Sequence, residues 1–335
     1  MRLYRALRGL YTMGSALSAP APPRLLAADA ASQAFLARHD AFVFDCDGVL
    51  WHGLNPIPGA KETILGLRRS GRKVLFCTNN STKARRDYCD AFAERLGVEV
   101  AEEDVVCSSW AAAEYLRNCG DARADKSKVL CFGMSGLSDE LRIAGYDVVG
   151  GPDWDAKTPA ELEEELDIET LDAEIGAVVS GLDRNINYYK VSMAAAYVAA
   201  GRLYVATNTD TTYPMKPNGT TSPGAGLSSA AVLGTVGRDA PDAVAGKPSA
   251  LLGKTICEAF GLTPERTCMV GDRLDTDMLF AHNAGFSQLA VLSGVITEAD
   301  IEANKDAAVA PHFMASSVQV LADLLAEEEA KESSA

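Results

Sequence analysis

The chain has 335 residues, of which 47% are hydrophobic and 23% are charged, and its formal net charge is −15. This length allows roughly two domains, and the ordinary composition indicates a folded globular protein. The negative net charge argues against nucleic-acid binding, and the lack of a long apolar run argues against a membrane span. None of the eight cysteines forms a C-x-x-C pair, which argues against a zinc cluster.

The first segment of the chain is basic. Residues 1–28 contain four arginines and no acidic residue, and Arg2, Arg5 and Arg8 recur at helical spacing. This composition is typical of an organelle transit peptide, and the alternative is a disordered leader without an address. We therefore assign residues 1–30 to a transit peptide or disordered leader.

The next segment, residues 31–123, alternates short apolar runs with amphipathic helices. Its predicted strands are AFVFDC (41–46), KVLFCT (73–78) and VVCSS (105–109). Helices are predicted near residues 59–70 and from an N-cap at Ser81 to Gly97. This alternation is typical of right-handed βαβ units in a parallel sheet.

The middle of the chain, residues 124–240, differs in composition from the segments on either side. Its predicted elements are the strand IGAVVS (175–180), a helix around 188–200 and the strand LYVAT (203–207). An acidic stretch and a Pro/Gly/Thr-rich segment at 213–226 accompany them. We interpret this part as an inserted α/β domain.

The last third, residues 241–326, returns to strands alternating with helices. The predicted strands are AVAG (243–246), TCMVGD (267–272) and SQLAVLSG (287–294), and the predicted helices begin at Ser249 and span 275–284. Residues 327–335 are predicted to form a disordered tail. The expected fold is therefore α/β, a Rossmann-like doubly wound parallel sheet with one inserted α/β domain.

Polar residues follow the predicted core strands at their carboxyl ends. They are Asp45, Asp47, Thr78, Asn79, Asn80, Lys247, Asp272, Asp275 and Asp277. The carboxyl ends of parallel strands lie at the same edge of a sheet, so we expect these side chains to lie close together there. That edge is also where ligands bind in such sheets. Crowded carboxylates repel one another, and oxygen-liganded Mg²⁺ relieves that repulsion. The hydroxyl, amide and ammonium groups are donors to phosphate oxygens, so this edge is predicted to bind a metal and a phosphoryl group.

The pair Asp45 and Asp47 suits such chemistry. Side chains at i and i+2 of an extended chain point the same way. One carboxylate can attack phosphorus while the other manages the leaving-group proton, and Gly48 lets the backbone turn away. A D-x-D pair alone is usually a turn, and the functional interpretation depends on Lys247 and Asp272 at other strand ends.

The motifs FDCDGVLW, FCTNNSTKARRDY, GKPS and MVGDRLDTDMLFAHNAG resemble those of the haloacid dehalogenase superfamily of phosphatases. Their subfamily includes phosphoglycolate, pyridoxal and 4-nitrophenyl phosphatases. The resemblance covers nearly the whole chain after residue 40, and it implies a large α/β cap between the second and third motifs, where residues 124–240 lie. A closer resemblance is to the phosphoglycolate phosphatases of plants and green algae, and it is carried by GLDRNINYYK, ATNTD and GDRLDTD. Together with the basic leader, this resemblance implies a chloroplast enzyme.

The resemblance implies how the carboxylates divide the chemistry. Asp45 is the nucleophile that forms an aspartyl-phosphate, and Asp47 is the general acid/base. The metal site is expected to hold Mg²⁺ through Asp45, the backbone carbonyl of Asp47 and Asp272. Asp277 is expected to support that site without contacting the metal, and Asp275 is expected to be structural.

The resemblance also implies which residues hold the phosphoryl group. Thr78, Asn79 and Asn80 are expected to bind it, and Lys247 is expected to neutralise it and to orient the nucleophile. No residue at these positions departs from the family pattern.

Specificity must come from the cap, because the core contacts only phosphate and metal. Arg184 and Tyr213 are candidate donors to a substrate carboxylate, and Asn208 and Asp210 are expected to shape the cap loop. The alternative for Arg184 is a surface arginine, and the alternative for Tyr213 is a packing aromatic. Closure of the cap would exclude water during the reaction.

The leading hypothesis is a Mg²⁺-dependent phosphatase acting on 2-phosphoglycolate in photorespiration. A related phosphatase acting on pyridoxal phosphate, or on a broad set of small phosphates, shares every core residue. A non-catalytic phosphate- or metal-binding regulator and a phosphotransferase are further alternatives. The expected partner is a small phosphate ester, with neither nucleic acid nor membrane, and homodimerisation is left open. If the leader is not a transit peptide, the expected location is the cytoplasm.

Overall fold

The computed structural model describes residues 21–27, 29–214 and 220–333. Within these residues the strands are β1 (Arg24–Leu25), β2 (Ala41–Phe44), β3 (Trp51–His52), β4 (Asn55–Pro56), β5 (Lys73–Thr78), β6 (Val105–Cys107), β7 (Lys128–Phe132), β8 (Asp147–Gly150), β9 (Ile175–Ser180), β10 (Leu203–Ala206), β11 (Thr212–Pro214), β12 (Thr221–Pro223), β13 (Ala243–Val244), β14 (Thr267–Gly271), β15 (Ser287–Val291) and β16 (Phe313–Ala315). The α-helices are α1 (Ala30–Arg38), α2 (Ala60–Arg69), α3 (Arg85–Leu96), α4 (Ser108–Asn118), α5 (Ser135–Ile143), α6 (Pro159–Glu165), α7 (Tyr188–Ala199), α8 (Gly226–Val236), α9 (Ala250–Phe260), α10 (Leu279–Ala284), α11 (Glu298–Ala303) and α12 (Gln319–Glu332).

The larger sheet has seven parallel strands in the order β1, β16, β15, β14, β2, β5, β6. Strand β2 lies between β5 and β14 in this sheet and is buried along its whole length. Full burial of a parallel strand requires helices on both faces of the sheet, and this explains why AFVF is a continuous apolar run. The predicted doubly wound α/β core is confirmed.

The second sheet has five parallel strands in the order β13, β10, β9, β7, β8. Strand β13 corrects the sequence prediction, which placed residues 243–246 in the core sheet. Val205 and Ala206 of β10 pair with Ala243 and Val244. A half-buried two-residue strand carries no periodicity, so its sheet is decided by tertiary pairing. The second sheet therefore extends past the predicted boundary at residue 240.

The end of the predicted leader belongs to the folded core. Strand β1 adds to the edge of the larger sheet, where Arg24 pairs with Phe313. Asp29 caps α1, and its side chain accepts a hydrogen bond from the backbone N–H of Ser32 at 2.7 Å. The predicted leader end at residue 30 is thus wrong. Residues 1–20 and 28 lie outside the described residues, and so does most of the transit-peptide prediction.

The predicted disordered tail, residues 327–335, is also wrong over most of its length. Helix α12 continues to Glu332, and two hydrogen bonds of 2.8 and 2.9 Å join Arg72 to Glu328. Arg69 pairs with Glu329 at 2.7 Å. The acidic residues of this tail find basic partners across the fold, which composition cannot show. Residues 334–335 lie outside the described part, and no helix within it is long and apolar enough to cross a membrane.

Candidate active site

The carboxyl ends of β2, β5 and β14 meet at one edge of the larger sheet, beside a cavity of about 280 Å³. All twelve residues proposed for the site from sequence line this cavity. They are Asp45, Asp47, Thr78, Asn79, Asn80, Arg184, Asn208, Asp210, Tyr213, Lys247, Asp272 and Asp277. The fold therefore brings the core and cap candidates to one place.

Lys247 joins two carboxylates at the floor of the cavity. Its ammonium donates to Asp45 Oδ1 and to Asp277 Oδ1, each at 2.7 Å, and the residue is 2% exposed. Burial alone would lower the pKa of Lys247, but the charges of Asp277 and Asp45 raise it well above its ordinary value. Lys247 is therefore a permanent cation beside Asp45.

Asp45 lies at the end of a buried strand and is 8% exposed, so its carboxylate loses most of its contact with water. The positive charge of Lys247 offsets part of that loss. Burial raises the pKa of its carboxyl to about 7, Asp277 adds to the increase, and Lys247 opposes it. A nucleophilic carboxylate must be ionised, and a further cation beside it would favour that form.

Asp272 supplies the clearest sign of a cation-binding site. Its Oδ2 accepts a hydrogen bond from the backbone N–H of Val295 at 2.8 Å, whereas its buried Oδ1 has no hydrogen-bond partner among the described residues. Burial, with the charges of Asp45 and Asp277, raises the pKa of this carboxyl well above its ordinary value. A buried acceptor without a donor is costly, and a bound cation would satisfy it.

The carboxylate oxygens around Asp272 fit such an ion. Single oxygens of Asp45, Asp272 and Asp277 lie within 4.8 Å of one another. Oxygen-only ligands suit Mg²⁺. Asp277 is already engaged, since Oδ1 accepts from Lys247 and Oδ2 accepts from the backbone N–H groups of Asp272 and Arg273 at 3.0 and 3.1 Å. The side chains with coordinating capacity left are therefore those of Asp45 and Asp272.

Asp277 reaches this position through a local irregularity of the helix. The sequence predicts a continuous helix over 275–284, but the chain forms a π-turn over Leu274–Met278 before α10 begins. Such bulges are frequent at functional sites. Here the turn directs the carboxylate of Asp277 back toward the backbone of Asp272.

Asp47 stands apart from this carboxylate cluster and faces the cavity. Its Oδ1 accepts a hydrogen bond from the indole N–H of Trp51 at 3.0 Å. Burial raises the pKa of the carboxyl, and the bond from Trp51 opposes the increase. Gly48 follows in a left-handed conformation with φ +89°, and a Cβ there would lie 2.4 Å from Asp272 Oδ2. Only glycine fits that turn.

Asn79 does more in the structure than the expected phosphoryl binding. Its Oδ1 accepts from the backbone N–H of Lys247 at 2.9 Å, and its Nδ2 donates to the Lys247 carbonyl at 3.0 Å and to Asp210 at 3.2 Å. Its own carbonyl accepts from Asn208 at 2.6 Å. The side-chain amide thus joins the cap loop at 208–210 to the backbone of the active-site lysine.

Asn80 and Ser81 also have specific structural contacts. Asn80 Oδ1 accepts from the backbone N–H and the hydroxyl of Thr82 at 3.0 and 2.8 Å, and Asn80 N–H donates to the Thr78 hydroxyl at 3.2 Å. Ser81 is not the predicted helix cap, because α3 begins at Arg85. Its Oγ instead accepts from Leu182 N–H of the cap at 3.1 Å.

The wall of the cavity carries three basic residues besides Lys247, two of which were not predicted from the sequence. Arg184 is exposed and its Nε contacts Met134 Sδ at 3.4 Å. The missed residues are Lys83, which has no ion pair within the described residues, and Arg273, which pairs with Asp275 at 3.1 Å. Lys83 lies in the motif FCTNNSTKARRDY and Arg273 lies in the motif GDRLDTD. Their positive charge close to the polar residues of these motifs could have marked them as site residues.

Arg184 lies on a turn braced by a second buried lysine. Lys190, 1% exposed, donates to Asp155 Oδ1 at 2.5 Å and to Asp183 Oδ2 at 2.7 Å. Asn185 donates to the remaining carboxylate oxygens, through its backbone N–H to Asp183 at 2.8 Å and its side chain to Asp155 at 2.7 Å. All four oxygens of the two aspartates have donors, so this cluster holds the turn in place.

The site combines a buried carboxylate held by lysine, a second carboxylate with a buried oxygen that has no hydrogen-bond donor among the described residues, and a third carboxyl that faces the cavity. This chemistry, at the carboxyl edge of a parallel sheet, is that of a phosphoryl-transfer enzyme.

Comparison with known proteins identifies the family. A family model of haloacid dehalogenase-like hydrolases matches residues 42–147, and a second model of HAD-like hydrolases matches residues 244–321. The chain is 40% identical over 83% of its length to the chloroplastic phosphoglycolate phosphatase 1A of Arabidopsis thaliana, covering 75% of that protein.

Solved structures of phosphatases are similar to this chain over most of its length. The 4-nitrophenylphosphatase of Thermotoga maritima superimposes with a TM-score of 0.71 at 29% identity, covering 86% of this chain and 98% of that one. A glycerol phosphate phosphatase of Mycobacterium tuberculosis in complex with magnesium gives a TM-score of 0.69 at 29% identity, covering 85% and 77% of the two chains. The chain belongs to the haloacid dehalogenase-like hydrolases and is a phosphatase of that family.

Proposed function

We propose that the protein is a Mg²⁺-dependent phosphatase that hydrolyses 2-phosphoglycolate to glycolate and phosphate in the chloroplast, as part of photorespiration. The observation that carries the substrate choice is the pair of cationic side chains, Lys83 and Arg184, on the wall of a cavity with Asp45 and Lys247 at its floor. A small phosphate ester that also carries a carboxylate matches these charges. The basic leader and the name of the Arabidopsis relative support the same substrate and location.

The chemistry follows from the positions of two aspartates. The Asp45 carboxylate attacks phosphorus, and the P–O bond to glycolate breaks as Asp47 protonates the departing oxygen. The phosphoryl group then sits on Asp45. Water attacks it, the water proton returns to Asp47, and the acyl-phosphate bond breaks to release phosphate. Throughout, the ammonium of Lys247 holds Asp45 in position.

Asp45, Asp272 and the carbonyl of Asp47 would hold the Mg²⁺ ion, which when bound neutralises carboxylate and phosphate charge. The unpaired Oδ1 of Asp272 supports this assignment. Asp277 would fix the site indirectly by holding Lys247 and the backbone of Asp272.

A substrate panel tests the proposal. We expect kcat/KM for 2-phosphoglycolate to exceed that for pyridoxal phosphate by about tenfold or more. Arg184→Ala should raise KM for 2-phosphoglycolate roughly tenfold, equivalent to about 1.4 kcal/mol, and leave 4-nitrophenyl phosphate unaffected. Arg142→Ala is the control, since Arg142 pairs with Asp139 on the surface outside the cavity.

The alternatives give different results on this panel. A preference for pyridoxal phosphate, or equal rates on all esters, would replace the proposed substrate with a related or broad specificity. Phosphate release without any added acceptor is expected, and a requirement for an acceptor would indicate a phosphotransferase.

A further inference from the structure

The carboxyl of Asp47 is held from one side by a single buried side chain. The indole N–H of Trp51 donates to Asp47 Oδ1 at 3.0 Å, and Trp51 is 1% exposed. Within the described residues, no other group donates to this carboxyl. Oδ2 is therefore the oxygen that remains for the cavity, which Asp47 lines.

A tight turn brings the indole back over the carboxyl. Gly48 N–H donates to the Trp51 carbonyl at 2.8 Å, and Leu50 N–H donates to the Cys46 carbonyl at 2.9 Å. The left-handed conformation of Gly48 makes this return possible. The sequence DGVLW thus places the donor four residues after the acid.

The indole ring is itself fixed by helix α3. Phe92 packs edge-on against it with ring centroids 4.8 Å apart, and the guanidinium of Arg95 lies 4.7 Å from its centroid. A cation on the face of an indole is attracted to its π electrons, and it polarises the N–H into a stronger donor. Ring position and donor strength are therefore both set by residues that do not line the cavity.

We propose that Trp51 is a positioning residue that orients the carboxyl of Asp47 with Oδ2 toward the cavity. A neutral carboxyl has one oxygen that accepts and one O–H that donates. Because the indole N–H occupies Oδ1, Oδ2 is the oxygen that can exchange a proton with the substrate. During the first step this proton moves to the departing ester oxygen as the P–O bond breaks. During the second step Oδ2 takes a proton from the attacking water. The inference rests on the proposed acid/base role of Asp47.

The leaving group provides the test. Glycolate departs as a basic alkoxide and needs a proton, whereas 4-nitrophenolate is stable as an anion and does not. In the full-length enzyme with saturating Mg²⁺, Trp51→Phe should lower the rate of glycolate release in the first turnover of 2-phosphoglycolate roughly 10- to 100-fold. The same variant should lower the rate of 4-nitrophenolate release in the first turnover less than about threefold, and the later hydrolysis of the phospho-enzyme is common to both esters. KM should change little for either ester.

Trp110→Phe is the matched control, because Trp110 also lies under an arginine, Arg85 at 5.8 Å, but does not line the cavity. Equal losses on both esters would show a merely structural role, and no loss on the alkyl ester would overturn the proposal. If Trp51→Phe fails to fold, Arg95→Met replaces it. Arg95→Met should give a smaller loss confined to the alkyl ester, and an unchanged ratio of the two rates would overturn the proposal.

The choice of ester separates this inference from the proposed substrate. If the enzyme prefers another alkyl phosphate, that ester replaces 2-phosphoglycolate in the comparison. The substrate assignment would then fail while the leaving-group test of Trp51 still gives its answer.

Discussion

Two buried lysines of this protein have nearly the same immediate surroundings and different functions. Lys247 in the core is 2% exposed and bridges Asp45 and Asp277, each at 2.7 Å. Lys190 in the cap is 1% exposed and bridges Asp155 and Asp183, at 2.5 and 2.7 Å. Burial and ion pairing alone would not tell which of them belongs to an active site.

The difference lies in the hydrogen bonds around each lysine. In the cap cluster, Asn185 completes the hydrogen bonding of both aspartates, so no oxygen is left over. In the core cluster, Asp272 keeps a buried oxygen without a donor. A saturated buried ion pair is structural, whereas an unsatisfied acceptor beside one indicates a place for a ligand.

The largest expected effect comes from removing the core carboxylate. Asp45→Asn should reduce turnover of every substrate by at least about 10³-fold, because the nucleophile is lost. The fold should survive, since the substitution removes one charge from a crowded set of carboxylates. Steady-state phosphate release and circular dichroism measure the two effects, and turnover near the wild-type rate would refute the mechanism.

The matched substitution in the cap should have the opposite profile. Asp183→Asn leaves Lys190 buried with one fewer charge partner, which should lower the free energy of unfolding by about 3 kcal/mol. Turnover of 4-nitrophenyl phosphate, which does not need Arg184, should stay close to wild type below the unfolding transition. Urea unfolding measures the first effect. A stable variant with no activity would mean that the two clusters are not separable in this way.

Metal binding should also distinguish the two lysine clusters, through a smaller change in the free energy of unfolding than that expected for Asp183→Asn. Mg²⁺ at about 100 times its dissociation constant should stabilise the wild type by about 2.7 kcal/mol. Asp272→Asn should abolish most of this gain, and Asp183→Asn should leave it intact. Thermal unfolding with Mg²⁺ and with a chelator measures the gain. Full stabilisation of the Asp272 variant would place the ion elsewhere.

The sequence predicted that the active-site side chains meet beside one edge of the sheet, because the relevant information is local. Asp45, Thr78 and Asp272 each follow an apolar run, and the carboxyl ends of parallel strands meet by topology. The role of Asn79 in joining Asp210 to Lys247 could not be predicted, because those residues come from distant segments that meet only in the folded protein.

Other misses have the same physical origin. Strand β13 and the end of helix α12 depend on partners across the fold rather than on local pattern. Lys83 was not predicted as a site residue, because its position on the cavity wall depends on close packing of its backbone against Gly136 of α5. The donor role of Trp51 required the geometry of the Gly48 turn.

The most direct test of the account is to trap the phosphorylated enzyme. A single turnover of radiolabelled 2-phosphoglycolate, or of the preferred ester from the panel, is quenched in acid, and the labelled peptide is mapped. We expect base-labile label on the peptide that contains Asp45, and none in Asp45→Asn. Label on a different residue, or undiminished labelling of the Asp45 variant, would contradict the assignment of Asp45 as the nucleophile.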